Sequence, residues 1–118
     1  MRFLIAICAL MLGIASADAH AMLDHASPEV GSTVAHAPAS LSLFFTEPLE
    51  AAFSGVSVRN AAGQRVDAGR AHLARGNKVE LQVPLKPLPP GTYKVEWHVL
   101  SVDTHKSQGS FSFTVGAH

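Results

Sequence analysis

Intrachain disulfide chemistry is out of reach for this chain. Its one cysteine, Cys8, sits in an apolar stretch near the N-terminus, and a single thiol has no intrachain partner. Surplus charge is missing too, with nine Lys and Arg against nine Asp and Glu. A neutral chain has no electrostatic claim on DNA, RNA or an anionic membrane surface, and no block of like charge forms an interaction tail. Beyond the first residues no apolar run approaches the roughly 20 residues that a membrane-crossing helix needs. No internal repeat or low-complexity tract appears, and no helical period follows the first residues. Neither a nucleophile–base pair nor a phosphate-binding loop is visible, which argues against an enzyme.

What the first residues do contain is a leader. Arg2 supplies a positive start, Phe3 to Ile14 form a short apolar core, and Ala17-Asp18-Ala19 is a signal-peptidase pattern. Residues 1–19 are therefore expected to be a cleaved signal peptide and residues 20–118 a single mature domain. Cys8 lies inside the apolar core and not at the cut, which argues against lipid anchoring. The expected product is soluble, exported, without a membrane anchor, and free of cysteine in an oxidising compartment.

Cleavage after Ala19 makes His20 the first residue. An N-terminal histidine offers its free α-amine and imidazole Nδ1 together, and these close a chelate ring on a metal. Such nitrogens suit Cu(II), which heads the affinity order of the first-row divalent ions. A histidine inside a chain has only an amide at that position. The plainer reading, that His20 is simply where the leader ends, stands beside this one.

The rest of the chain alternates with a period of two. Leu41, Leu43 and Phe45 alternate with Ser42, Phe44 and Thr46; Val56 and Val58 with Ser57 and Arg59; Val79, Leu81 and Val83 with Glu80 and Gln82. Tyr93, Val95, Trp97 and Val99 alternate with Lys94, Glu96, His98 and Leu100, and Phe111, Phe113 and Val115 with Ser110, Ser112 and Thr114. This is the pattern of strands with one face on a core. Turn signals separate them at Ser27-Pro28 to Gly31, Asn60 to Gly63, Gly76-Asn77 and Pro87 to Gly91. The expected fold is all-β, a small antiparallel sandwich or barrel.

A second constellation follows the longest alternating run: Ser101-Val102-Asp103-Thr104-His105. In an extended chain Asp103 and His105 face one side with Cα atoms roughly 6.5–7 Å apart. That spacing lets a carboxylate and an imidazole converge on one ion through bonds of about 2 Å. An Asx-type turn at Asp103 beside a solvent-exposed His105 is the competing reading.

With these residues in register, the chain resembles the periplasmic copper-resistance proteins of the CopC type. The resemblance runs from the N-terminal histidine through Leu43-Phe44-Phe45-Thr46-Glu47-Pro48-Leu49 and Phe53-Ser54-Gly55-Val56. It continues through Pro90-Gly91-Thr92-Tyr93-Lys94-Val95-Glu96-Trp97, Val99 to His105, and Gly109 to Val115. The resemblance implies a Greek-key β-sandwich or barrel, immunoglobulin-like or cupredoxin-like, that holds one Cu(II) through His20, Asp103 and His105. It also puts Glu47 near the metal, as a weak axial ligand or as an acceptor that orients an imidazole; a solvated carboxylate before Pro48 is the alternative.

His25 is expected at the surface of the first strand, close enough to the N-terminus to compete for metal. His98 belongs on an exposed sheet face, and His36, His72 and His118 in loops or at the terminus. Tyr93 and Trp97 are expected to pack in the core. Some members of the family add a methionine-rich Cu(I) site. Thioether sulfur selects Cu(I), but Met22 is the only methionine after residue 19, so such a site is not expected. The implied function is that of a periplasmic, monomeric Cu(II)-binding protein for copper homeostasis and resistance. It would buffer copper or carry it to an inner-membrane transport protein of the CopD kind. Two alternatives are a redox protein resembling the histidine-brace copper monooxygenases and an exported immunoglobulin-like interaction module.

Overall fold

Alternation along the sequence becomes two facing sheets. The computed structural model describes residues 21–116; the leader, His20 and His118 lie outside the described residues. Eight strands follow in order: β1 (Leu23–Ser27), β2 (Thr33–Val34), β3 (Ser40–Phe45), β4 (Gly55–Arg59), β5 (His72–Ala74), β6 (Asn77–Pro84), β7 (Gly91–Leu100) and β8 (Lys106–Val115). One sheet has the order β1-β3-β6-β5 and the other β2-β8-β7-β4. The sheets remain separate, so the architecture is a sandwich. Every pairing is antiparallel except that of β2, which runs parallel to the end of β8 through Thr33–Thr114 and Val34–Val115. A 3-10 turn, Ala51–Phe53, leads into β4. Among the described residues no helix is long and apolar enough to cross a membrane.

The core lies where the alternation puts it. On β7, Tyr93, Val95, Trp97 and Val99 are buried while Thr92, Lys94, Glu96 and His98 are exposed. Leu41, Leu43 and Phe45 of β3, Leu81 and Val83 of β6, and Phe111, Phe113 and Val115 of β8 close the space between the sheets. Burying one such side chain contributes about 1.5–3 kcal/mol. Phe45 meets Trp97 edge-on with ring centroids 5.1 Å apart, a geometry the aromatic quadrupole favours. The Tyr93 hydroxyl donates to the Pro89 carbonyl, and burial pushes its pKa up. That bond pins the start of β7 as the tyrosine corner of immunoglobulin-like sandwiches does.

The β7–β8 hairpin carries the architecture to the site. It pairs without interruption from Gly91–Val115 to Leu100–Lys106, which leaves Ser101–His105 as its closing loop. Near that end Trp97 lies over Gly109, where an added Cβ would come within 2.6 Å of the indole. Glycine is required there because the ring fills the side-chain position.

Candidate metal centre

Ser101–His105 is a turn, not the extended segment expected for Asp103 and His105. The hairpin is still in register at Leu100 and Lys106, so the five residues between them must reverse the chain. Thr104 supplies the reversal with φ of 71°, a left-handed conformation that is uncommon for a β-branched residue. The expectation of a shared strand face therefore fails: the segment turns, with Asp103 Oδ1 bonded to the Ser101 hydroxyl. The two side chains come together nonetheless: His105 Nδ1 lies 3.6 Å from Asp103 Oδ1, and each side chain is about half exposed.

The turn is organised by Ser101, a residue that sequence reasoning passed over. Its side chain is completely buried, the only buried polar residue among those described. The hydroxyl donates to Asp103 Oδ1 and accepts the His105 N–H at 3.2 Å. Its backbone N–H donates to the His105 carbonyl, and its carbonyl accepts the Thr104 N–H. Both candidate ligands therefore hang from one buried residue. Nothing in a serine beside Val102 signals this role in the sequence.

Two other segments meet the turn. Leu49 bridges Ser101, the Val102 N–H donates to the Pro48 carbonyl, and the Glu50 N–H donates to the Leu100 carbonyl. Thr46 and Met22 exchange bonds, the Met22 N–H to Thr46 Oγ1 at 2.9 Å and the Thr46 N–H to the Met22 carbonyl at 3.0 Å. Ala21 is fully buried, and its carbonyl accepts the Ser107 hydroxyl at 2.6 Å. The start of the described chain, the Thr46–Glu50 segment and the β7–β8 loop thus share one end of the sandwich.

Glu47 stands half-buried between the Met22 and Val102 connections. Among the described residues no group of three His, Cys, Asp or Glu side chains converges, so Glu47 does not complete a three-ligand site with Asp103 and His105. The third expected ligand, His20, lies outside the described residues. His25 is exposed on β1, bonded through Nδ1 to Asp24 Oδ2 at 2.7 Å and stacked on Phe44 with centroids 4.3 Å apart. His98 is exposed on the outer face of β7 over Gly55, His72 on β5 and His36 in a loop.

In donor chemistry the gathered pair suits a divalent metal with mixed nitrogen and oxygen preference. Two atoms each about 2 Å from one ion lie roughly 2.8 Å apart at a right angle and 4 Å apart when opposed. The 3.6 Å between Asp103 Oδ1 and His105 Nδ1 falls within that range.

Fold and site together define a small two-sheet β-sandwich with a carboxylate–imidazole pair at one end. The CopC domain family matches residues 23–116, and the chain belongs to that family. It is 37% identical over 116 residues to Protein YobA of Escherichia coli K12, covering 98% of this chain and 94% of that protein. The crystal structure of CopC from Methylosinus trichosporium OB3b superposes with a TM-score of 0.78 at 33% identity, covering 84% of this chain and 96% of that one. PcoC, described as a methionine-rich copper resistance protein from Escherichia coli, gives 0.73 at 33% identity, covering 82% and 99%.

Proposed function

We propose that this chain is a periplasmic protein of copper homeostasis and resistance that binds one Cu(II) as cargo through His20, Asp103 and His105. The observation that carries this reading is the Ser101-organised turn, which holds Asp103 against His105 beside the anchored Ala21. His20 directly precedes Ala21 in the sequence, and Ala21 is fully buried with its carbonyl accepting the Ser107 hydroxyl. The Ala17-Asp18-Ala19 junction supports the rest, because cleavage there turns an amide into an amine at His20. Amine, imidazole and carboxylate then supply the nitrogen and oxygen donors that Cu(II) favours. Glu47 serves as an outer acceptor on the neighbouring segment.

The protein buffers or carries the ion and performs no catalysis. Tyr93 and Trp97 are both buried, so neither contributes to an aromatic platform of the kind a polysaccharide-active copper enzyme would present. Transfer to an inner-membrane copper transport protein fits the apolar surface around the pair. Met22 and Val102 are both exposed, on the segments that frame the site, and Phe53 is exposed on the 3-10 turn just after Glu50. Met22 is the only methionine past residue 19, so the protein takes Cu(II) without a separate thioether site for Cu(I).

Titration of the protein beginning at His20 tests the reading. One equivalent of Cu(II), with nitrogen coupling in the EPR spectrum, is expected. Weak, non-stoichiometric uptake would return the chain to the interaction-module class. A Cu(I) ion held tightly against a competing chelator, alongside Cu(II), would overturn the single-site assignment.

A further inference from the structure

Ser101 is fully buried and carries a hydroxyl. It occupies the last position before the turn, fully enclosed, and it contacts both members of the Asp103–His105 pair from beneath. A buried hydroxyl costs free energy unless its hydrogen bonds are made, and here its donor and one acceptor site are used on those two residues alone. Four bonds in all, two from the hydroxyl and two from the backbone, tie Ser101 to residues 103, 104 and 105. The other side of Ser101 is fixed to the scaffold by its bridge to Leu49.

We infer that Ser101 is a positioning residue that presets the metal-binding pair before the ion arrives. Its donated bond fixes Asp103 Oδ1, the carboxylate oxygen that lies 3.6 Å from His105 Nδ1. Its accepted bond from the His105 N–H fixes the backbone from which the imidazole projects. A flexible loop of five residues must order its side chains when it binds, at about 0.5–1.5 kcal/mol for each immobilised side chain. A loop already hooked at Ser101 has met much of that cost on folding. Thr104 fits the same scheme, since a left-handed β-branched residue persists only where its surroundings over-determine it.

This inference rests on the Cu(II) reading above, and the test keeps the two apart. Ser101→Ala and Ser101→Thr are compared with the unaltered protein, all beginning at His20, by competition titration and EPR with Cu(II). Wild-type protein that binds no Cu(II) removes the functional reading itself. If wild type binds, Ser101→Ala is expected to lose about 10–100-fold in affinity, as removal of an orienting partner typically does, and to show an altered spectrum. Ser101→Thr, which keeps the hydroxyl, is expected to retain the spectrum and most of the affinity. A folded Ser101→Ala protein with wild-type affinity and spectrum overturns the proposal. Should that variant not fold, amide exchange in the metal-free wild type decides. Protection of the His105 N–H supports the hook, and exchange at the rate of an unstructured loop overturns it.

Discussion

Asp24 with His25 on β1, and Asp103 with His105 in the β7–β8 loop, are both carboxylate–imidazole pairs at the surface, yet they are built differently. The first is the tighter, at 2.7 Å against 3.6 Å. Exposure separates them little: the side chains are 59% and 62% accessible in the first pair and 46% and 49% in the second. What separates them is what each is attached to. His25 has one ring nitrogen bonded to its neighbour's carboxylate and one ring face on Phe44. Neither Asp24 nor His25 is held by a buried group. Asp103 and His105 share a buried hydroxyl, and two further segments of the chain end beside them. A short distance records a surface ion pair, which is worth about 0–1 kcal/mol; convergence on a supported turn is what a metal can use.

Breaking the N-terminal half of the proposed site gives the largest expected effect. A version beginning Met-His20 has an amide where the amine should be, and its Cu(II) affinity should fall by more than the roughly 100-fold that marks loss of an orienting group. Competition titration against the form beginning at His20 checks this. Asp103→Ala should cost less than this but at least as much as losing its positioning partner, on the order of 100-fold, and should add an exchangeable water to the copper spectrum. Acid sharpens the contrast between site and scaffold. Amine and imidazole must shed protons to bind, so affinity should decline as the solution is acidified.

The scaffold responds at lower pH. Hydrogen bonding from Arg65 holds the Asp67 carboxyl below its ordinary value, with both oxygens engaged at 2.8 Å and the Val58 N–H as a further donor. A depressed carboxyl stabilises the fold above its unfolded-state pKa, and that contribution is lost as pH falls through the folded value. Thermal melts of metal-free protein should therefore show this loss only below about pH 4, and Asp67→Ala should flatten it. The smallest effects belong to the other histidines. His25→Ala, His72→Ala and His98→Ala should leave Cu(II) affinity unchanged and shift stability by no more than about 0.5 kcal/mol.

The strands that build the core were legible because each is long enough to repeat. β3, β7 and the second half of β8 carry large apolar residues at every second position, and burial follows them; on β6 it follows Leu81 and Val83, while Val79 is only partly buried. β2 and β5 have two and three residues and show no period to read. The first part of β8 was hidden for a different reason. Ser107 and Gly109 occupy inward positions without bulk, one bonding Ala21 and the other yielding its space to Trp97. Asp103 and His105 were legible as chemistry but not as geometry. No glycine or proline marks the reversal between them, and Thr104 at positive φ is a conformation its side chain disfavours. Ser101 was illegible altogether, because its role exists only once the turn has closed around it.

The most direct test compares copper EPR spectra of His105→Ala and His25→Ala, each beginning at His20 and loaded with one equivalent of Cu(II). If the metal sits at the Ser101-organised turn, His105→Ala loses a coupled nitrogen and His25→Ala matches the wild type. An unaltered spectrum in His105→Ala, with a changed one in His25→Ala, would contradict the assignment and move the copper to β1.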